Sequence, residues 1–183
     1  MGEKNENYRL LQSFRAGAEK VIHQKEELNK INVFPVADGD TGSNLASLMQ
    51  AIIDNVPVKT YPMAILLDEI SGAALLGARG NSGIIFAQYL SAVAENYQKT
   101  ETNFESFVEA LEEAVNKAYN SLIEPKEGTI LTVMRAWSVT LVKIYRLNHS
   151  FEEALLEAKI EAQEALNATQ FQMPVLRKNK LVD

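Results

Sequence analysis

Apolar residues recur at intervals of three and four along nearly the whole chain, and no run of five residues alternates as a half-buried strand requires. A period near 3.6 buries one face of a helix and cannot sit in a sheet, so the chain is restricted to an all-α fold. Leu11, Phe14, Ala18, Val21 and Leu28 predict a first helix over roughly Tyr8 to Asn29. Leu45, Leu48, Met49, Ile52 and Ile53 predict a second from about Ser43 to Asn55. Pro62 lies in the first turn of a third, from about Tyr61 to Leu76, and a fourth covers about Ser82 to Tyr97. Thr102-Asn103-Phe104-Glu105 has the spacing of a capping box and opens a fifth, with Phe104, Phe107, Val108, Leu111, Val115, Ala118 and Leu122 on one stripe. A sixth runs from Thr129 to about Leu147, with Ile130, Val133, Trp137, Leu141 and Ile144 as its core face. Ser150-Phe151-Glu152-Glu153 is a second capping box and starts a seventh, to about Thr169; past Pro174 the pattern fades. The expectation is an antiparallel bundle of seven to eight helices with short connections, forming one domain over residues 1–183.

Composition narrows the function. With 18 basic and 24 acidic side chains the net charge is −6, which disfavours an extended polyanion, so no nucleic-acid partner is expected. Cysteine is absent, which excludes disulfides, thiolate catalysis and Cys-ligated metals, and fits a reducing, cytoplasmic setting. Residues 1–5 lack the apolar core of a signal peptide, and no apolar run approaches the roughly 20 residues needed to span a bilayer. The two histidines, His23 and His149, lie in separate polar stretches and read as plain surface residues, so a His-based metal site or a Ser-His-Asp triad has little support.

The unusual residues sit in the connections. In Asn32-Val33-Phe34-Pro35-Val36-Ala37-Asp38-Gly39-Asp40-Thr41-Gly42-Ser43-Asn44, two acids flank a glycine that lets the backbone bend until both carboxylates face one point. Two close carboxylates repel unless a cation neutralises them, and hard oxygen ligands suit Mg²⁺ or Ca²⁺. Thr41-Gly42-Ser43-Asn44 then opens a helix, whose free N–H groups suit an anion. Read alone, Asp38 and Asp40 fit turn and cap residues better than metal ligands. Gly77-Ala78-Arg79-Gly80-Asn81-Ser82-Gly83 also precedes a helix; its glycines permit close backbone approach, and Asn81 and Ser82 supply donors, as in an anion nest. It lacks the Gly-Lys-Ser/Thr of a P-loop. The third connection, Glu127-Gly128-Thr129, either caps the sixth helix through Thr129 or brings that hydroxyl to a phosphate.

Taken in order, these three motifs resemble the DhaL-type ATP-binding domain of bacterial fatty acid kinase A and the dihydroxyacetone kinase L-subunit family, as does the ending Pro174-Val175-Leu176-Arg177 to Leu181-Val182-Asp183. The resemblance implies an antiparallel helical barrel with ATP or ADP at one end and two Mg²⁺ ions held by aspartates. Carried over residue by residue, it makes Asp38 and Asp40 the metal ligands and catalytic groups, with Asn32 as a weaker third ligand. Thr41, Gly42, Ser43, Asn44, Asn81, Ser82, Gly83 and Thr129 would surround the nucleotide, and Arg177 and Asp183 would reach it from the tail. The family continues past the final Val-Asp, so the chain compares with an N-terminal piece of a longer protein.

The activity implied by the resemblance is transfer of the γ-phosphoryl group of ATP to the carboxylate of a fatty acid, giving an acyl phosphate. The acid would be held by a separate DegV/FakB-type binding protein or by a fused domain. Such an acceptor is already an anionic nucleophile and needs no general base, so the missing catalytic His or Cys is no objection. Two rivals share the same site: the nucleotide subunit of a dihydroxyacetone (glycerone) kinase, and a non-catalytic nucleotide-sensing module. Acyl-chain preference and oligomeric state are not encoded in any motif.

Overall fold

The structure, a computed structural model, describes residues 3–34, 37–98 and 103–182. Nine helices and no strand occur among them: α1 (Glu3–His23), α2 (Lys25–Ile31), α3 (Thr41–Asn55), α4 (Met63–Gly77), α5 (Gly80–Gln98), α6 (Phe104–Asn120), α7 (Ile130–Arg146), α8 (Phe151–Gln172) and α9 (Pro174–Asn179). From α3 to α8 each helix packs on the next, the up-and-down arrangement that short connections impose. α1 packs chiefly on α3, α8 chiefly on α7, and α5 also touches α3. No helix of the described residues is long and apolar enough to cross a membrane.

Two buried clusters make the core. One gathers Leu11, Leu48, Ile52, Leu66 and Ile70 between α1, α3 and α4, closed by Tyr61. The other gathers Leu67, Tyr89, Phe107, Leu111, Leu131 and Leu141 from α4 to α7, with Ala154 and Ala158 of α8. α4 and α5 contribute to both, because they bury residues on opposite sides. α4 accordingly reads as apolar nearly all round rather than striped, as a helix between two layers must. Side chains of α1 bind the far end: Asn7 Nδ2 donates to Tyr61 O at 3.1 Å, and Arg15 Nη1 donates to the carbonyls of Ile53 and Val56 at the close of α3.

Four expectations need correction. The first predicted helix is two, broken at Gln24; the apolar stripe skips a turn between Val21 and Leu28, and α2 buries no residue. The cap of α6 is Asn103, whose side chain accepts from Ser106 N at 2.8 Å; Thr102 lies outside the described residues. α7 is turned by about one position from its expected face, since Leu131, Met134, Ser138, Leu141 and Val142 are buried while Ile130, Trp137 and Ile144 flank the core. A short α9 follows Met173, with Pro174 at its first position, where a missing N–H costs nothing, and Leu176 in the core. The capping box at Ser150 is present in both directions, with Glu153 N donating to Ser150 Oγ and Ser150 N to Glu153 Oε2.

Candidate functional site

The connection from α2 to α3 is built around Gly39, whose φ of +68° is the left-handed conformation glycine adopts without strain. Its N–H donates to Asn32 Oδ1 at 2.8 Å, and Asn32 Nδ2 donates to Phe34 O, so Asn32 organises the bend from inside. Pro35 and Val36 lie outside the described residues. Asp38 is exposed and Asp40 half-buried on either side of the bend. Asp40 occupies the N-cap of α3, yet its side chain makes no capping hydrogen bond. Asn29 does that work from α2: its Oδ1 accepts from Ser43 N and its Nδ2 donates to Ser43 Oγ, both at 3.0 Å. Among the described residues, neither carboxylate of the Asp38–Asp40 pair has a hydrogen bond or an ion pair.

The second connection closes on the first. Gly80, at φ +52°, packs so tightly on the Asn44 amide that a Cβ there would collide with Asn44 Nδ2. A Cβ on Gly83 would stand 3.3 Å from Asn44 O, and Ser47 Oγ donates to Gly77 O at 2.9 Å. The starts of α3 and α5 thus meet at a seam of glycines. Asn44 is only 8% exposed. The Ser82 hydroxyl is buried and unpartnered. Buried polar groups are normally satisfied, so an unpartnered hydroxyl at the seam is out of the ordinary. Asn81 and Arg79 are exposed beside it, with Arg79 Nη1 donating to the carbonyls of Leu76 and Ala78.

The third connection lies at the same end. Tyr89, nine residues into α5, is hydrogen-bonded to Ser138, eight residues into α7. With each bonded residue about the same distance into its helix, and successive helices packed up and down, α5 and α7 start at the same end of the bundle. Thr129 is the N-cap of α7: its hydroxyl accepts from Leu131 N at 3.4 Å and donates to Lys126 O at 2.7 Å. Arg177 is exposed on α9, its Nη2 donating to Phe171 O at 2.6 Å. Asp183 lies outside the described residues.

Similarity to known proteins bears on this arrangement. The DAK2 domain family matches residues 35–183. The chain belongs to that family. Protein YloV of Bacillus subtilis (strain 168) is 32% identical over 170 residues, covering 92% of this chain and 31% of YloV. An uncharacterized protein of Staphylococcus saprophyticus is 31% identical over 172 residues, 91% of this chain and 31% of its own length. An uncharacterized protein of Mycoplasma genitalium is 31% identical over 183 residues, 95% of this chain and 33% of its own. The chain spans about a third of the length of the curated relatives it matches. As a DAK2 domain it is a nucleotide-binding module of the dihydroxyacetone kinase L-subunit type, in a family associated with kinase function.

The resemblance to the kinases implies a divalent metal, and the residues present are compatible with one. Among the described residues no group of three His, Asp or Glu side chains is assembled. Mg²⁺ does not need one, because it keeps several waters and takes one or two carboxylates plus phosphate oxygens. Asp38 and Asp40, unengaged beside the opening of a helix, are two carboxylates of that kind. Sequence reasoning missed Asn29 in this DAK2 domain, because nothing in a helix-interior asparagine announces a cap for the next helix. It also left Glu127, Thr132 and Arg135 without a role. The histidines hold to the surface: His23 and His149 are exposed, and His149 Nδ1 lies 3.6 Å from Glu153.

Proposed function

We propose that this domain binds Mg·ATP at the α3–α5 seam and transfers its γ-phosphoryl group to the carboxylate of a fatty acid presented by a DegV/FakB-type partner or domain. The observation that carries the reading is the buried, unpartnered Ser82 hydroxyl at the seam with Asn44, next to two unengaged aspartates. Together they offer acceptors for a cation and donors for an anion within one glycine-lined junction. Asp38 and Asp40 would hold two Mg²⁺ ions, with Asn32 near enough in the same loop to serve a third position. Bound Mg²⁺ supplies neutralisation of the phosphate charge.

The chain's own part is binding and orientation. Gly80 and Gly83 let the start of α5 close on Asn44, and Asn81, Ser82 and Asn44 donate to phosphate oxygens. The openings of α3 and α5, including Thr41, Gly42 and Ser43, favour negative charge through their dipoles. Thr129 fixes the start of α7, and Arg177, exposed on α9, would reach the nucleotide from the tail. The acyl carboxylate oxygen bonds to the γ-phosphorus as the bond to the bridging oxygen breaks and ADP leaves; no proton is moved. The relatives' threefold greater length supports a place for the acyl carrier elsewhere in such proteins. Dihydroxyacetone is the rival acceptor, through the resemblance to the dihydroxyacetone kinase L-subunit.

Calorimetric titration with Mg·ATP tests the site. Asp38→Asn and Asp40→Asn are expected to abolish Mg-dependent binding while the helical circular dichroism is unchanged; wild-type affinity in both would refute the assignment. Transfer of label from ATP to a carrier-bound fatty acid, run beside dihydroxyacetone with its own subunit, decides the acceptor.

A further inference from the structure

The Glu127-Gly128-Thr129 turn holds more polar structure than a helix cap requires. The Glu127 carboxylate accepts from the Tyr119 hydroxyl at 3.1 and 3.2 Å, from the Thr132 hydroxyl at 2.5 Å and from Arg135 Nη1 at 2.8 Å. The Arg135 guanidinium also lies over the Tyr119 ring, 3.7 Å from its centroid, so acid, base and ring form a closed set between the end of α6 and the start of α7. A threonine hydroxyl has one proton to give. Here it goes to Glu127, which leaves the oxygen lone pairs to accept Gly128 N–H at 2.9 Å. Gly128 stands at φ +81°, and a Cβ on it would lie 2.9 Å from both Gln172 Cβ and Met173 Cγ. The turn is therefore pressed against the α8–α9 junction, beyond which α9 carries Arg177. An ion pair as exposed as Glu127–Arg135 contributes little to stability by itself, so what this set determines is geometry.

We infer that Glu127 is a positioning residue of the nucleotide site: through the Thr132 hydroxyl it locks the Gly128 turn, and so holds the start of α7 and the α8–α9 junction in the arrangement that binds nucleotide. The inference rests on the nucleotide reading above. It assigns Glu127 no contact with the ligand; the residue acts through Thr132 and Gly128 on Thr129 and α9. The two carboxylate oxygens serve different partners, Oε1 for Arg135 and Oε2 for Thr132. Glutamine has one acceptor oxygen in place of two, so Glu127→Gln keeps the shape but gives up the contact with Thr132 or the one with Arg135.

Three variants of the full chain test this, each followed by Mg·ATP calorimetry and by thermal melting of its helical signal. Thr132→Val removes the relaying hydroxyl, Thr132→Ser keeps it, and Glu127→Gln removes the second acceptor. Loss of hydrogen bonding to a charged group predicts about tenfold weaker binding for Thr132→Val and Glu127→Gln, with Thr132→Ser within about twofold of wild type. Melting is expected to move by no more than about 4 °C in any of them. Wild-type affinity in folded Thr132→Val or Glu127→Gln would overturn the inference, as would a serine variant as weak as the valine one. Affinity lost only in step with lost fold in both would assign the set to stability and overturn it too. Failure of the wild-type chain to bind nucleotide would bring down the nucleotide reading and this inference together, whereas wild-type binding with undisturbed variants would bring down the inference alone.

Discussion

The hydroxyl groups of Tyr89 and Ser138 lie 3.0 Å apart in the interior and join α5 to α7 across the larger core cluster. Ser138 is fully buried and Tyr89 nearly so. Burial pushes the Tyr89 hydroxyl far above the ordinary tyrosine range, a shift that its bond to Ser138 only partly offsets, so the pair stays neutral. Each group is the other's means of being dry.

Removing one partner should therefore cost more than removing both. Ser138→Ala leaves a buried phenol without a partner, and Tyr89→Phe leaves a buried serine, at about 1–3 kcal/mol each. The double variant is expected to lose clearly less than the sum. Urea unfolding of the four proteins in a double-mutant cycle measures the coupling, and strict additivity would show that the bond contributes nothing.

At the glycine seam, Gly80→Ala should separate strain from function. A side chain at φ +52° costs about 1–2 kcal/mol in a left-handed conformation, and its Cβ must also push the Asn44 amide aside. Gly17, around which there is open space, provides the control, since alanine there meets nothing and should stabilise α1. Melting curves should show a loss for Gly80→Ala and a small gain for Gly17→Ala. Mg·ATP titration should show weakened binding only for the former.

Acid should act on the third motif. Burial alone would raise the Glu127 carboxyl, but the bonds from Thr132 and Tyr119 and the nearby Arg135 outweigh it and hold the group below the ordinary glutamate range. A depressed folded-state pKa means the unfolded chain binds more protons in the interval between the two values. The stabilisation is thus fully present above the ordinary glutamate value and lost as pH falls through the lowered one. Melting temperatures of wild type and Glu127→Gln, compared from about pH 6 to about pH 3, should converge on the acid side. Parallel curves would contradict the assignment.

Much of the fold was legible because its punctuation is chemical. Ser150 and Glu153 announced α8, Gly77 to Gly80 separated α4 from α5, and the α6 stripe from Phe104 to Leu122 needed no tertiary information. Ser138 was illegible: a serine at the middle of a buried face looks polar in sequence and becomes core only because Tyr89 comes from another helix to meet it. That one residue turned the expected face of α7. The break at Gln24 was visible only as a missing apolar position, and the six residues of α9 are too few to show a period. In the site, the bend at Gly39 was foreseen from its glycine, and the grouping of the first two motifs followed only from the family resemblance. The brace from Asn29 was not, because its partner Ser43 lies 14 residues away across a loop.

Leu66 and Leu67 are neighbours in the chain and belong to different core clusters. α4 is therefore a party wall, filled from both sides by a single sheet of backbone-linked side chains. A wall of that kind cannot shift toward one room without emptying the other, so slack in either half is transmitted at once to its neighbour. The Gly77 end of that wall stands at the glycine seam, which makes the seam a register of how well both rooms are packed, even for residues far from any ligand.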